Sequence, residues 1–225
     1  MIVETFNQLD YNSVKDRIVT RVVNAKAESH LLKDRPCSYV KDLAVLYDIE
    51  MFHTNGTRAT MQVNNTLFSQ WDVTMEDLHK NALDVTAQRN PYVLSNMDDE
   101  LWGSPVNFLD GADYVNAGML LVASNEQKHY GANIIADKNM LEKISQVIND
   151  YMYILPSSIH ELLILPKENA KDLGMTPKAL GEMVRDVNRT QVEPKERLAN
   201  HVYEYNRDTK ELAIVNSSRE KAMEM

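Results

Sequence analysis

Ser157, Ser158, His160 and Glu161 place two hydroxyls, an imidazole and a carboxylate within five residues. Those side chains are the raw material of acyl transfer, in which a histidine takes the proton of a serine and a carboxylate orients the imidazole. The spacing weakens a purely local triad. On an extended strand Ser158 and His160 share one face and Glu161 takes the other. Neither serine sits in a Gly-x-Ser-x-Gly elbow. The competing reading is structural: a pair of turn serines bonding their own backbone, with His160 opening a packed strand.

Asn188, Thr190 and Gln191 form a second polar group, at the end of a predicted helix. They are candidate binding residues for a ligand amide or a partner backbone. They can equally satisfy the last carbonyls of that helix. The six histidines include no pair at i,i+2 or i,i+4, so no helix or strand presents two of them to a metal. The acids between 98 and 113 lack the calcium-loop spacing with its closing Glu and read as a solvated loop. Common phosphate-binding glycine patterns are absent. The expected cofactor and metal content is therefore none. The twelve methionines, many on helical stripes, read as core packing.

The 225 residues are 44% hydrophobic and 25% charged, with 24 Lys and Arg against 33 Asp and Glu, a net charge of −9. That balance argues against a nucleic-acid backbone binder, which needs a basic face. Cys37 is the only cysteine, so no intrachain disulfide can form, and a lone thiol fits a reducing compartment. The N-terminus lacks the basic and apolar segments of a signal peptide, and no apolar run spans a bilayer. A cytoplasmic location is the expectation.

The elements that must position these groups follow from pattern. Residues 18–23 are rich in β-branched side chains and predict a strand, with a helix continuing from Val14 as the alternative. A short helix is expected at 27–32, and strands at 43–51 and 58–63 around an Asn55-Gly56 hairpin turn. Thr74 caps a helix carrying Met75, Leu78, Ala82 and Val85 on one face and ending before Pro91. Residues 91–117 read as irregular. Strands are expected at 119–124 and 130–136, then a helix capped by Asp137 with Met140, Leu141, Ile144, Val147 and Ile148 as its apolar stripe. A hairpin follows at 151–155 and 159–165. Thr176 and Pro177 then open a helix burying Leu180, Met183, Val184 and Val187. Pro194 starts a helical turn, and 202–205 with 211–215 make a last hairpin. Strand, strand, helix recurs near 43–88, 119–149 and 151–190. The predicted class is α+β, an antiparallel sheet with helices packed on it. Residues 1–16 read as a polar lead-in, 17–215 as one domain and 216–225 as a frayed tail.

Two segments are distinctive. One is Tyr153-Ile154-Leu155-Pro156-Ser157-Ser158-Ile159-His160-Glu161-Leu162-Leu163. The other is Met183-Val184-Arg185-Asp186-Val187-Asn188-Arg189-Thr190-Gln191-Val192, followed by Pro194, Glu196, Leu198 and Val202-Tyr203-Glu204-Tyr205. With Leu31-Leu32-Lys33-Asp34 and Asp42-Leu43-Ala44-Val45 they resemble a bacterial family of unknown function, from anaerobic gut Gram-positive organisms, over about residues 14–212. The family pattern has a further N-terminal segment, so the resemblance implies a chain that starts inside it. It also has less acid before the 118–136 region. The resemblance implies no activity and no catalytic residue.

A well-patterned fold without a convergent catalytic set points to a non-enzymatic protein-binding or regulatory domain. Its expected partner is a protein or a second copy, not nucleic acid or a membrane. The alternative is a hydrolase using Ser158 or Ser157 with His160.

Overall fold

A computed structural model describes residues 9–54, 57–103, 105–112, 114, 120–156 and 158–215. The class is α+β, with antiparallel sheets and helices packed on them. The region expected as one domain divides into two compact units, Met1–Pro91 and Tyr92–Met225. Among the described residues no helix is long and apolar enough to cross a membrane.

The first unit is built on one long strand. Helix α1 (Tyr11–Val14) leads into β1 (Ile18–Asn24), and β2 (Cys37–Val40) precedes β3 (Leu43–Thr54) and β4 (Thr57–Gln62). β3 pairs antiparallel with β1 from Ile18 opposite Ile49 to Asn24 opposite Leu43. β2 and β4 share its other edge, β4 with a register shift between Glu50 and Phe52. The expected Asn55-Gly56 turn lies outside the described residues. The helix expected at 27–32 is not formed. The Asn24 carboxamide accepts the N–H groups of Lys26 and Ala27, which turns the chain, and only a 3-10 segment follows at Leu31–Asp34.

Helix α2 (Asn65–Phe68) is short, and α3 (Met75–Arg89) begins where expected. The Thr74 hydroxyl accepts the Asp77 N–H at 3.1 Å and donates to its carboxylate at 2.6 Å. Leu78, Ala82, Val85 and Thr86 are its buried face. Thr86 Oγ1 accepts the Thr20 N–H at 2.8 Å, so the helix occupies part of the β1 edge.

Period-two alternation along β3 separates two environments. Tyr47 and Ile49 lie on one face; Asp48 and Glu50, both buried, lie on the other. Asp48 pairs with Arg35 and Arg21, and Glu50 with Arg89. Tyr47 is fully buried, with its hydroxyl 2.7 Å from Ser38 Oγ and 2.9 Å from His79 Nδ1. Burial pushes the Tyr47 phenol up to about 12. An unfolded tyrosine ionises near pH 10, so between pH 10 and 12 the folded state holds a proton that the unfolded state has lost. Stability therefore falls as pH rises through that window, by about 1.4 kcal/mol per pH unit from this group. Urea titrations are expected to show a shallower alkaline decline for Tyr47→Phe than for the parent chain; parallel declines would contradict it.

The second unit holds a six-stranded antiparallel sheet in the order β10-β9-β7-β8-β6-β5. Its strands are β5 (Tyr92–Asn96), β6 (Leu121–Asn125), β7 (Met152–Leu155), β8 (Leu162–Pro166), β9 (Tyr203–Asn206) and β10 (Glu211–Ile214). The stretch expected to be irregular thus contains an edge strand, and also helix α4 (Met97–Trp102). The strand expected at 130–136 is a fully buried 3-10 helix, Gly131–Ala136. A short apolar run fits either state, and β6 already has β5 and β8 as neighbours. The strand-strand-helix rhythm therefore fails at 119–149.

Helices α5 (Lys138–Ile148), α6 (Lys167–Asp172) and α7 (Pro177–Thr190) complete the unit. Asp137 caps α5 by accepting the Asn139 and Met140 N–H groups, and Thr176 caps α7 through Ala179. Leu180 and Val184 of α7 pack with Tyr153, Leu155, Leu165, Ala170 and Val202. Full burial of a leucine such as Leu180 contributes about 1.5–3 kcal/mol. β8 starts at Leu162, not at 159, so His160 and Glu161 lie in the loop before it. Alternation along a strand therefore does not set the directions of these two side chains.

Candidate functional site

Three segments meet at one end of this sheet: the chain after β6, the loop before β8, and the 3-10 turn Pro194–Glu196 before β9. Backbone bonds lock them. The Ile159 N–H donates to Glu196 O at 2.9 Å, and the Ala132 N–H to Ile159 O at 3.3 Å. Loops at a sheet end are where rigid scaffolds carry function.

The candidate residues are drawn into this closure. Ser158 Oγ accepts the backbone N–H of His160 at 3.0 Å, a serine turn. His160 Nδ1 accepts the Tyr130 N–H at 3.3 Å, which assigns the proton of the neutral ring to Nε2. That nitrogen lies 3.9 Å from Glu196 Oε1. The His160 carbonyl accepts the Ser124 hydroxyl at 2.8 Å. The Tyr130 ring stacks on His160 at 5.7 Å between centroids, with His129 beside both. Burial raises the Glu161 carboxyl; Lys128 pulls it back and Glu100 adds to the rise. Ser157 lies outside the described residues.

Acyl transfer needs a serine hydroxyl donating to an imidazole nitrogen. Here Ser158 Oγ accepts the His160 N–H, and His160 Nδ1 accepts the Tyr130 N–H. This hydrogen-bond set closes a loop. The backbone is also strained: Lys128 and Tyr130 have φ of 50° and 54°, left-handed values uncommon for residues with side chains. Gly131 follows, where an added Cβ would collide with Ser124 and His160. Among the described residues no group of three His, Cys, Asp or Glu is placed to hold a metal.

The second candidate set does not converge. Asn188 is buried and donates to Ala199 O at 2.7 Å and Asn200 Oδ1 at 2.9 Å, tying α7 to the chain entering β9. Thr190 is exposed and its hydroxyl bonds Asp186 O within the helix. Gln191 is exposed, and its N–H closes on Val187 O.

Composition concealed a different surface. Asn96 caps α4 through the Asp98 N–H, and Asp98, Asp99 and Glu100 fill its first turn, where the helix dipole favours negative charge. Gly103, at φ 115°, ends it. Leu101 and Trp102 project from it, Trp102 being 87% exposed, and Val106 follows, also exposed. Asn107 then anchors the chain to the sheet edge. Its carboxamide accepts the Leu94 N–H at 3.0 Å and donates to Tyr92 O at 3.3 Å, imitating a neighbouring strand. Between this segment and the sheet lies a pocket of about 230 Å³, lined in part by Ser95, Glu100, Asn107, Asp110, Glu126 and Lys128. Burial pushes the Glu100 carboxyl up, but Lys128 and Ser95 outweigh it and hold it below its usual range. An Asn, three acids and a Gly around Leu-Trp were a legible helix signal; the exposure of Trp102 was not.

The family model described as "Family of unknown function (DUF5688)" matches residues 2–207. The chain belongs to this family. No curated protein and no solved structure matches it. The DUF5688 match takes in residues of both compact units, including the loop around His160 and the face around Trp102.

Proposed function

We propose that this DUF5688 protein is a bacterial, cytoplasmic protein-binding or regulatory domain whose contact surface is the face carrying Leu101, Trp102 and Val106. One observation carries the reading: Trp102 is 87% exposed on a capped helix. Tryptophan is highly buried on average and is enriched among the residues that dominate binding energy. An indole offers 150–250 Å² for burial, which at about 25 cal/mol per Å² is on the order of 4–6 kcal/mol. The lone thiol supports the compartment. A second copy is the poorer occupant, because a twofold would set the acids of α4 against themselves on a chain of net charge −9.

The test is a photo-crosslinking residue at position 102, with one at exposed Lys143 as control, in the native host. The expected result is a protein captured from 102 alone, whose affinity for the purified chain drops at least about 30-fold with Trp102→Ala. Capture of the same proteins from both positions, or an unchanged affinity, would overturn the reading.

A further inference from the structure

We propose that the pocket beside α4 receives one arginine side chain of the protein that covers Trp102. The inference rests on the Trp102 reading and adds the partner's chemistry. At about 230 Å³ the pocket is smaller than the roughly 300–1,000 Å³ of sites that hold whole small ligands, and it suits a single side chain. Its charged lining is Glu100, Asp110 and Glu126 against Lys128. Lys128 is already paired to Glu100, and Ser95 donates to the same carboxylate at 2.6 Å. Asp110 and Glu126, both exposed, leave the rim negative.

Leu101, Trp102 and Val106, all exposed, are chain neighbours of the pocket-lining Glu100, Pro105 and Asn107. A partner matching both needs apolar side chains around a cation. Arginine fits better than lysine. Its planar fork carries five donors and meets carboxylates in two directions, and guanidinium sheds water more readily than ammonium when it is enclosed. Charge complementarity of this kind sets specificity and encounter rate.

The experiment titrates the purified chain with a fluorescent amphipathic peptide bearing a leucine row and an arginine row. Counterparts carry citrulline, lysine or glutamate in place of arginine. The arginine peptide is expected to bind at least about tenfold tighter than the citrulline peptide, and tighter than the lysine peptide. The double variant Asp110→Asn, Glu126→Gln is expected to erase that preference; the amide oxygen at 110 can still accept from the Asn107 carboxamide, so the unfolding midpoint is expected to stay unchanged. Equal binding of arginine and citrulline peptides, an unaltered preference in the double variant, or no binding of the arginine peptide would overturn the pocket. Binding that needs Trp102 but ignores arginine would reject the pocket and leave the contact surface standing. Binding indifferent to both would reject the two together.

Discussion

Gly131→Ala is expected to cost about 2–4 kcal/mol and to lower the urea midpoint of the second unit. The added Cβ would lie 2.3 Å from Ser124 Oγ, 2.5 Å from His160 O and 2.7 Å from Ser124 Cα. Two of these atoms belong to backbone and cannot swing aside. The third makes the 2.8 Å bond that ties β6 to the loop before β8. Relief requires moving that loop off the strand, which breaks the Ser124–His160 bond and disturbs the Ile159 contacts with Ala132 and Glu196. Losing this part-buried hydrogen bond costs about 1 kcal/mol, and overpacking adds about 1–3 kcal/mol. Gly111 and Gly174 are the contrast. Both have left-handed φ, 89° and 64°, with nothing within 4 Å of an added Cβ. Alanine there pays only backbone strain, about 1–2 kcal/mol. A Gly131→Ala chain with the parent's urea midpoint would show that the loop and strand are not held together as described.

Asp48→Ala is expected to cost about 3–5 kcal/mol in the first unit, because it strands a buried cation. Arg35 is 4% exposed, and its Nη2 serves both Asp48 and Tyr47 O, the latter at 2.5 Å. Burial lowers the Arg35 guanidinium pKa, and Asp48 is what opposes that. Arg21 shares the same carboxylate, its Nε 3.3 Å from Oδ2. Removing the carboxylate leaves the buried Arg35 guanidinium near the partly exposed Arg21 cation with no anion between them. The sign reverses when the charge goes with it: Arg35→Met combined with Asp48→Leu is expected to be less destabilising than Asp48→Ala alone. Denaturation of the two variants and the parent checks the order.

Where a local cap and an apolar stripe agreed, the fold was legible. α3, α5 and α7 start at Thr74, Asp137 and Thr176 as expected, because each cap bonds a backbone N–H two or three residues on. The strand over 43–51 was legible from its pattern, but the fate of its charges was not. Arg35 and Arg89 reach Asp48 and Glu50 from 13 and 39 residues away. The 130–136 segment differs from the expected strand because Ala132, Ile134 and Ile135 are apolar enough for either a strand or a buried turn. The left-handed Lys128 and Tyr130 decide the matter, and neither residue type announces that conformation. β5 was hidden by the acids that follow it.

The site was legible as residues and not as geometry. Ser158 and His160 are neighbours in sequence and in space. Their hydrogen bonds depend on Tyr130 and Glu196, which only the sheet order brings close. The exposure of Trp102 is likewise a product of topology. Trp102 is 87% exposed five residues before Asn107, which is held at the β5 edge.

Trp71 is 6% exposed, and its Nε1–H donates to Leu9 O at 2.8 Å. Trp71→Phe therefore leaves Trp102 as the chain's only indole emitter. The most direct measurement is its emission in that variant, free and saturated with the protein captured at position 102. The emission is expected to shift to shorter wavelength, and iodide quenching to fall, when the partner binds. An unchanged spectrum and unchanged quenching with the partner bound would contradict a contact surface at Trp102.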